Sequence, residues 1–167
     1  MKNLSIATEP FPTLTVQEFY EDSELELINE ELQFLSSKID KQLVLDTVYS
    51  DRSYSNILNV NRKIYDSGLT KTYADCDFSC KMLGYVNFDG TKIHKLSKQN
   101  EVTYGVEPFQ FVSYTMLTTA EIWFPEYELK LDLPSNSTII FPSYVIHGIC
   151  NADGYAIAQL FTTKVDG

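Results

Sequence analysis

The feature that most restricts the fold of this 167-residue chain is a nearly continuous series of predicted β-strands in its C-terminal third. Short runs rich in aromatic and β-branched residues favour strands. The predicted strands are Phe109–Leu117, Glu121–Phe124, Tyr127–Leu133, Thr138–Phe141, Tyr144–His147 and Tyr155–Thr163. Turn signals such as Pro134-Ser135-Asn136-Ser137 and Asn151-Ala152-Asp153-Gly154 separate them. Short strands at spacings of roughly ten residues predict a β-sandwich or barrel.

One strong helical pattern precedes this β-rich region. Apolar residues recur there at helical spacing over about four turns and form one stripe: Leu25, Ile28, Leu32, Leu35 and Ile39. Ser23 and Glu26 have the spacing of a capping box at the helix start. Thr13–Tyr20 before the helix and Met82–Phe88 after it are further predicted strands. We therefore expect an α+β, mainly β fold: a jelly-roll core with N-terminal helices packed on its outer face.

Length and charge restrict the organisation and the partners of the chain. A chain of 167 residues is expected to form one domain, residues 1–167. The net charge of −10 repels phosphate backbones, so no nucleic-acid partner is expected. No apolar run is long enough to span a membrane, and the N-terminus shows no signal peptide. The three cysteines form no disulfide framework, which predicts a reducing, cytoplasmic location.

The segment 138–148 contains the best candidate metal ligand. It is predicted to form a buried strand, a Pro142-Ser143 turn and a second short strand that ends at His147. Because side chains alternate along a strand, Val145 and His147 would share one face. An imidazole beside valine inside a barrel is shielded from water and can bind a metal. The alternative is that His147 is a hydrogen-bonded histidine at a strand end.

Three stretches of this chain resemble the iron(II)/2-oxoglutarate-dependent dioxygenases of the prolyl-4-hydroxylase-like type. The most specific stretch runs from Leu133-Pro134 through Phe141-Pro142-Ser143 to His147-Gly148 and is similar to the segment around that family's distal histidine. Ala120–Phe124 and the opening Phe11–Val16 with its following acidic helix are weaker matches. The resemblance implies a double-stranded β-helix, iron(II), 2-oxoglutarate and hydroxylation of a substrate.

The same resemblance implies a metal site in which His147 is the distal ligand. The family pairs a first histidine with an acid two residues later. Here the only other histidine is His94, and Leu96 stands at the acid's position. Three glutamates are candidate carboxylate ligands from elsewhere in the chain: Glu101, Glu107 and Glu121. Glu121 is singled out because it lies on a predicted strand.

The expected anchor for 2-oxoglutarate also departs from the family's pattern. The family uses an arginine about ten residues beyond the distal histidine, because a bidentate guanidinium matches a carboxylate. The corresponding stretch of this chain contains no arginine, and Lys164 is the only basic residue after His147. Tyr155 and Gln159 share a predicted strand face and could supply neutral donors.

Three functional hypotheses remain open from the sequence. The first is an iron(II)/2-oxoglutarate oxygenase with a non-standard site, acting on a small molecule or a protein side chain. The second is a binding or structural jelly-roll protein that kept the fold and lost catalysis, because both the acid and the arginine are missing. The third is a cupin-like metal enzyme that does not use 2-oxoglutarate. Oligomeric state is open, because strand edges cannot be identified from sequence.

Overall fold

The fold is mostly antiparallel β, with one long α-helix near the N-terminus. The computed structural model describes residues 1–36, 42–44, 69, 73, 78–89, 103–104, 107–108 and 111–163. The N-terminal elements are β1 (Lys2–Ala7), β2 (Thr13–Gln17), α1 (Asp22–Ser36) and β3 (Gln42–Val44). The central elements are β4 (Phe78–Asp89), β5 (Thr103–Tyr104), β6 (Glu107–Pro108), β7 (Phe111–Met116) and β8 (Ala120–Phe124). After a 3-10 helix, Pro125–Tyr127, come β9 (Leu129–Leu133), β10 (Ser137–Pro142), β11 (Gly148–Cys150) and β12 (Asp153–Thr163).

Two sheets make up the body of the fold. The larger sheet has seven described strands in the order β1-β2-β10-β7-β12-β4-β3, and the smaller has the order β11-β8-β9. Neighbouring strands of both sheets are antiparallel. Chain-adjacent strands such as β9 and β10 therefore lie in different sheets. This alternation confirms the predicted α+β, mainly β, double-stranded β-helix architecture.

The space between the two sheets contains one of two apolar clusters, called here the interior core. Both sheets contribute large side chains to it, among them Phe88, Tyr114, Met116, Ile122, Phe124, Phe141 and Ile149. Alternate residues of β7 face this core, because successive side chains of a strand point to opposite faces. The core is therefore a lining of aromatic and branched side chains held between the larger and smaller sheets.

The opposite face of the larger sheet carries the second cluster, called here the outer core. Ile28 and Leu32 of α1 belong to it together with Leu14, Ile157 and Phe161 of the sheet. Because both faces of β7 and β10 are covered, every residue of these strands is buried. Leu25 also packs against the outer core, so the first three positions of the predicted apolar stripe face it. Leu35 and Ile39, the last two positions, lie outside the described side chains.

The start of α1 differs from the predicted capping box. The helix begins at Asp22, so Ser23 lies inside the first turn rather than at its cap. The Glu24 carboxylate accepts a hydrogen bond of 2.8 Å from the Glu21 backbone N–H, which is the reach-back contact of a capping box two residues earlier than predicted. The same acidic-rich segment thus supplies the cap with a different pair of residues.

Two strand predictions were also imprecise. The residues before Thr13, for which no strand was predicted, form β1 at one edge of the larger sheet. The predicted strand Tyr144–His147 is wrong, because residues 143–145 turn and His147 forms the first bridge leading into β11. No helix within the described part of the chain is long and apolar enough to cross a membrane.

Candidate functional site around His147

His147 lies in the interior core, at the entrance to β11. Its side chain is 2% exposed. Val145, two residues earlier, is also buried, whereas Tyr144 is exposed. The alternation that placed Val145 and His147 on one inward face therefore holds, although the segment turns instead of forming a strand. Burial excludes bulk water from the imidazole, as a metal site requires, and equally obliges the ring to find hydrogen-bond partners.

The two ring nitrogens of His147 have different partners, which fix its tautomer. Nδ1 lies 3.1 Å from the backbone carbonyl oxygen of Val145, and a carbonyl can only accept. Nδ1 therefore carries the hydrogen in this contact. Nε2 lies 3.1 Å from the hydroxyl of Tyr114 and accepts its hydrogen bond. Holding Nδ1–H on a backbone carbonyl presents the Nε2 lone pair inward, which is how metal-binding histidines are commonly oriented.

Aromatic rings surround this imidazole. The Phe141 ring lies 4.8 Å from the His147 ring and the Tyr114 ring 5.6 Å from it, both edge to face. Phe124 continues the cluster, with its centroid 5.1 Å from that of Phe141. Such an apolar environment keeps bulk water away from the imidazole, so the hydrogen bonds of its two nitrogens are not exchanged with solvent. The site is a dry aromatic enclosure with one lone pair and one phenol directed into it.

Tyr114 is a member of the candidate site that sequence reasoning missed. Its strand was predicted, but nothing in the sequence singles out this tyrosine from ten others. The pairing of Tyr114 with Ile139 on β10 and with Ala158 on β12 sets its position across the larger sheet. Alternation along β7 could have grouped Val112, Tyr114 and Met116 on one face. Which sheet face meets His147 depends on the closure of the two sheets, which is tertiary information.

Glu121 lies on the other side of the smaller sheet. On β8, Ile122 and Phe124 belong to the interior core, so Glu121 and Trp123 point outward. The Glu121 carboxylate accepts a hydrogen bond of 3.2 Å from the Asn151 side-chain amide and lies 4.0 Å from the Lys130 ammonium. The structure does not bring Glu121 and His147 together, so its role as a third metal ligand stays a prediction that this geometry does not support.

Cys150 is the cross-strand partner of Glu121 on β11. Burial raises the pKa of its thiol, and the Glu121 carboxylate adds to this effect against an opposing influence of Lys130. A raised thiol pKa leaves little thiolate at neutral pH. Cys150 is therefore a buried structural thiol and not a candidate nucleophile.

The two neutral donors predicted for co-substrate binding face away from His147. Tyr155 packs against the outer core. The Gln159 Oε1 accepts a 3.4 Å hydrogen bond from the Ser113 hydroxyl. Because Val112 and Tyr114, the neighbours of Ser113 on β7, face the interior core, Ser113 and Gln159 lie on the opposite face of the sheet. The alternate residues Ala156 and Ala158 of β12 are the ones that pack with the interior core. Sequence alternation correctly grouped Tyr155 with Gln159. Alternation alone does not predict which face of the sheet the pair occupies, and in the structure both residues lie on the face that packs against α1.

Several predicted site residues lie outside the described residues: His94, Glu101 and Lys164. Glu107 lies on β6, but its side chain is not described. Their roles as second ligand, carboxylate ligand and co-substrate anchor stay predictions. Within the described ranges, no three His, Cys, Asp or Glu side chains come close enough to hold a metal ion.

The fold is that of the iron(II)/2-oxoglutarate-dependent oxygenases. The viral collagen prolyl hydroxylase of Paramecium bursaria Chlorella virus-1, solved with 2-oxoglutarate, superposes with a TM-score of 0.66 at 11% identity, over 92% of this chain and 96% of that one. The α-ketoglutarate-dependent epimerase SnoN of nogalamycin biosynthesis gives a TM-score of 0.68 at 10% identity, over 90% of this chain and 77% of that one.

A third solved structure extends the same likeness. HygX from Streptomyces hygroscopicus, solved with nickel and 2-oxoglutarate, gives a TM-score of 0.61 at 8% identity, over 91% of this chain and 82% of that one. No model of a protein family and no curated protein matches the chain. At these identities the likeness establishes the architecture, and the chemistry has to be argued from the residues of this chain.

Proposed function

We propose that this protein is an iron(II)/2-oxoglutarate-type oxygenase with a non-standard site, in which His147 Nε2 is a metal ligand and a substrate C–H bond is hydroxylated. One observation carries the proposal. The Nδ1–H group of His147 is held by the Val145 carbonyl, so the Nε2 lone pair points into the interior core. The solved neighbours that contain iron, nickel or 2-oxoglutarate share this fold and support the same choice of cofactors.

The residues of this chain fit one part of such a site. A buried imidazole whose Nδ1 faces a backbone carbonyl is a suitable ligand for iron(II) through its Nε2. Iron(II) bound there would activate dioxygen for substrate oxidation while 2-oxoglutarate is decarboxylated. The chain's own contribution is to exclude water with Phe141 and Phe124 and to orient the imidazole through Val145. Tyr114 has to release Nε2 before a metal can bind, and its phenol then becomes a hydrogen-bond donor for a bound ligand.

The remaining ligands are proposed to come from the segment between β4 and β7. This segment contains His94, the second-ligand candidate, and Glu101 and Glu107, two of the carboxylate candidates. Within the described strands, β11 pairs only with β8, so its other edge beside His147 is open to a further strand. Lys164, which directly follows the last residue of β12 in the sequence, is the proposed basic anchor for 2-oxoglutarate.

The test is an anaerobic calorimetric titration with iron(II) and then 2-oxoglutarate. We expect wild-type protein to bind both and His147→Ala to lose iron binding by more than the roughly 10- to 100-fold typical of outer-shell changes. His94→Ala should produce a similar loss. Tyr114→Phe is the matched control, because it keeps the ring and removes only the hydroxyl that occupies Nε2. It should bind iron at least as tightly as wild type.

The outcomes separate the competing functions. Unchanged iron affinity in His147→Ala, with an unchanged melting temperature, would rule out this ligand assignment. Tight metal binding that is indifferent to 2-oxoglutarate would point to a cupin-like metal enzyme. Succinate release that depends on both iron and a substrate would establish turnover.

A second candidate function has its own support: a non-catalytic binding or structural protein with this fold. Both ring nitrogens of His147 are hydrogen-bonded within the protein, and the described interior face of β12 offers Ala156 and Ala158 where a charged anchor is needed. A site that satisfies its own histidine is stable without metal. Binding of neither iron nor 2-oxoglutarate in the titration would favour this candidate.

A further inference from the structure

The two sheets end differently at the side of the fold opposite β4. The larger sheet ends with β2 and then β1, whereas the smaller sheet ends with β9. In the described strands, β9 pairs only with β8, so its outer edge has free backbone N–H and C=O groups. Between β9 and the inner faces of β1 and β2 lies a cleft of about 290 Å³, called here the lateral cleft. It is separate from His147, which is not among its lining residues.

The walls of the lateral cleft differ in chemistry. One wall is apolar and consists of Leu129, Leu131 and Leu133 of β9. The opposing wall is polar, and it includes Ser5 of β1 and Thr15 of β2. No described residue forms a hydrogen bond with either of these two hydroxyl groups, so both are available to a ligand. Leu129 and Leu131 are only partly buried, which leaves apolar surface open to the cleft.

The charge of the lateral cleft is negative. Glu9 and Asp132 are its only charged lining residues, and neither has an ion-pair partner within the described parts of the chain. Lys130, the neighbour of Asp132 on β9, is directed across to Glu121 on β8, 4.0 Å away, and therefore away from the open edge. A ligand that carries positive charge is favoured here over an anion.

We propose that the lateral cleft binds an extended basic peptide segment of a partner protein, which adds to β9 as a fourth strand of the smaller sheet. An unpaired strand edge is the usual acceptor for such strand addition, in which the main chain supplies affinity and alternate side chains supply specificity. The five residues of β9 span roughly 17 Å, enough for a strand of about five residues. Apolar side chains of the peptide would pack beside the leucines, and its basic side chains would lie beside Asp132.

The probe for this proposal is the capped pentapeptide Lys-Val-Lys-Val-Lys, followed by amide chemical shifts and calorimetry. We expect the largest shift changes at Leu129–Leu133. Asp132→Lys should weaken binding roughly two- to tenfold, as expected for reversing one exposed charge beside a cation. The matched control is Glu126→Lys on the exposed 3-10 helix, outside the lateral cleft, which makes the same change in net charge. It should change affinity less than about twofold.

Two N-methylated analogues of the pentapeptide test the strand geometry. One is methylated at both valine nitrogens and the other at the lysine nitrogens. Residues of a strand present their N–H groups alternately to its two edges, so one analogue should lose binding and the other retain it. Equal binding by both analogues, equal weakening by Glu126→Lys and Asp132→Lys, or no binding at millimolar peptide would each overturn the proposal. None of these outcomes depends on metal or 2-oxoglutarate.

Discussion

Replacing Phe141 by alanine is expected to lower the free energy of unfolding by about 3–5 kcal/mol, the range for truncating a fully buried phenylalanine. Phe141 has 0% exposure and lies at the centre of the aromatic cluster. Its ring centroid is 5.1 Å from that of Phe124, 4.8 Å from His147 and 6.1 Å from Tyr114. Alanine would leave a cavity that strands of two sheets cannot close. Urea denaturation followed by circular dichroism measures the change.

Phe141→Leu is the control for cavity formation. Leucine keeps most of the volume and should cost less than about 1.5 kcal/mol if the core repacks. An alanine variant that loses less than 1 kcal/mol would mean that the interior core is loosely packed. The enclosure around His147 would then not exclude water, and the proposed metal site would lose its main physical support.

Replacing Asn136 by alanine is expected to destabilise the protein by about 2–5 kcal/mol, from two lost hydrogen bonds and a left-handed backbone conformation. The Asn136 side chain accepts a 2.9 Å hydrogen bond from the Tyr20 N–H and donates one of 2.9 Å to the Tyr20 carbonyl. Its φ angle is 65°, which asparagine tolerates better than alanine. These contacts join the β9–β10 turn to the segment that enters α1.

Asn136→Gly separates the two causes. Glycine removes the same side-chain hydrogen bonds but adopts a positive φ without strain. It should therefore lose only the hydrogen-bond part, about 1–3 kcal/mol. Thermal and urea unfolding of both variants measures the difference. If glycine and alanine are equally destabilising, the backbone conformation contributes nothing, and if neither is destabilising, the turn does not position α1.

Much of the secondary structure could be predicted from the sequence because its signals are local. The apolar stripe from Leu25 to Leu32 gave α1, and the predicted strand Thr138–Phe141 corresponds to β10 within one residue at each end. The strand ending at His147 was mispredicted, because the apolar character of Val145 reflects burial in a turn rather than strand pairing. In a segment this short, the apolar residues of a strand and those of a buried turn form similar sequence patterns.

The candidate site was predicted only in part. His147 was identified from its sequence context and is buried among core aromatic residues. Tyr114, its hydrogen-bond partner, is 33 residues away in sequence, and no local pattern connects the two. Gln159 was grouped correctly with Tyr155, but both residues lie on the face of the sheet that packs against α1. Which face a row of side chains occupies depends on whether the interior core or the outer core buries that row, and this is decided by tertiary packing.

The sequence by itself determined the mainly β architecture, the amphipathic helix and the candidacy of His147, since periodicity, turn residues and composition are properties of neighbouring positions. Only the tertiary structure decided which residues meet that histidine. Tyr114 and Phe141 contact it from the larger sheet. Glu121 lies on β8, the strand paired with β11, but its side chain points away from the histidine. The physical reason is that a strand offers two equivalent faces, and closure of one sheet on the other selects which face becomes the interior.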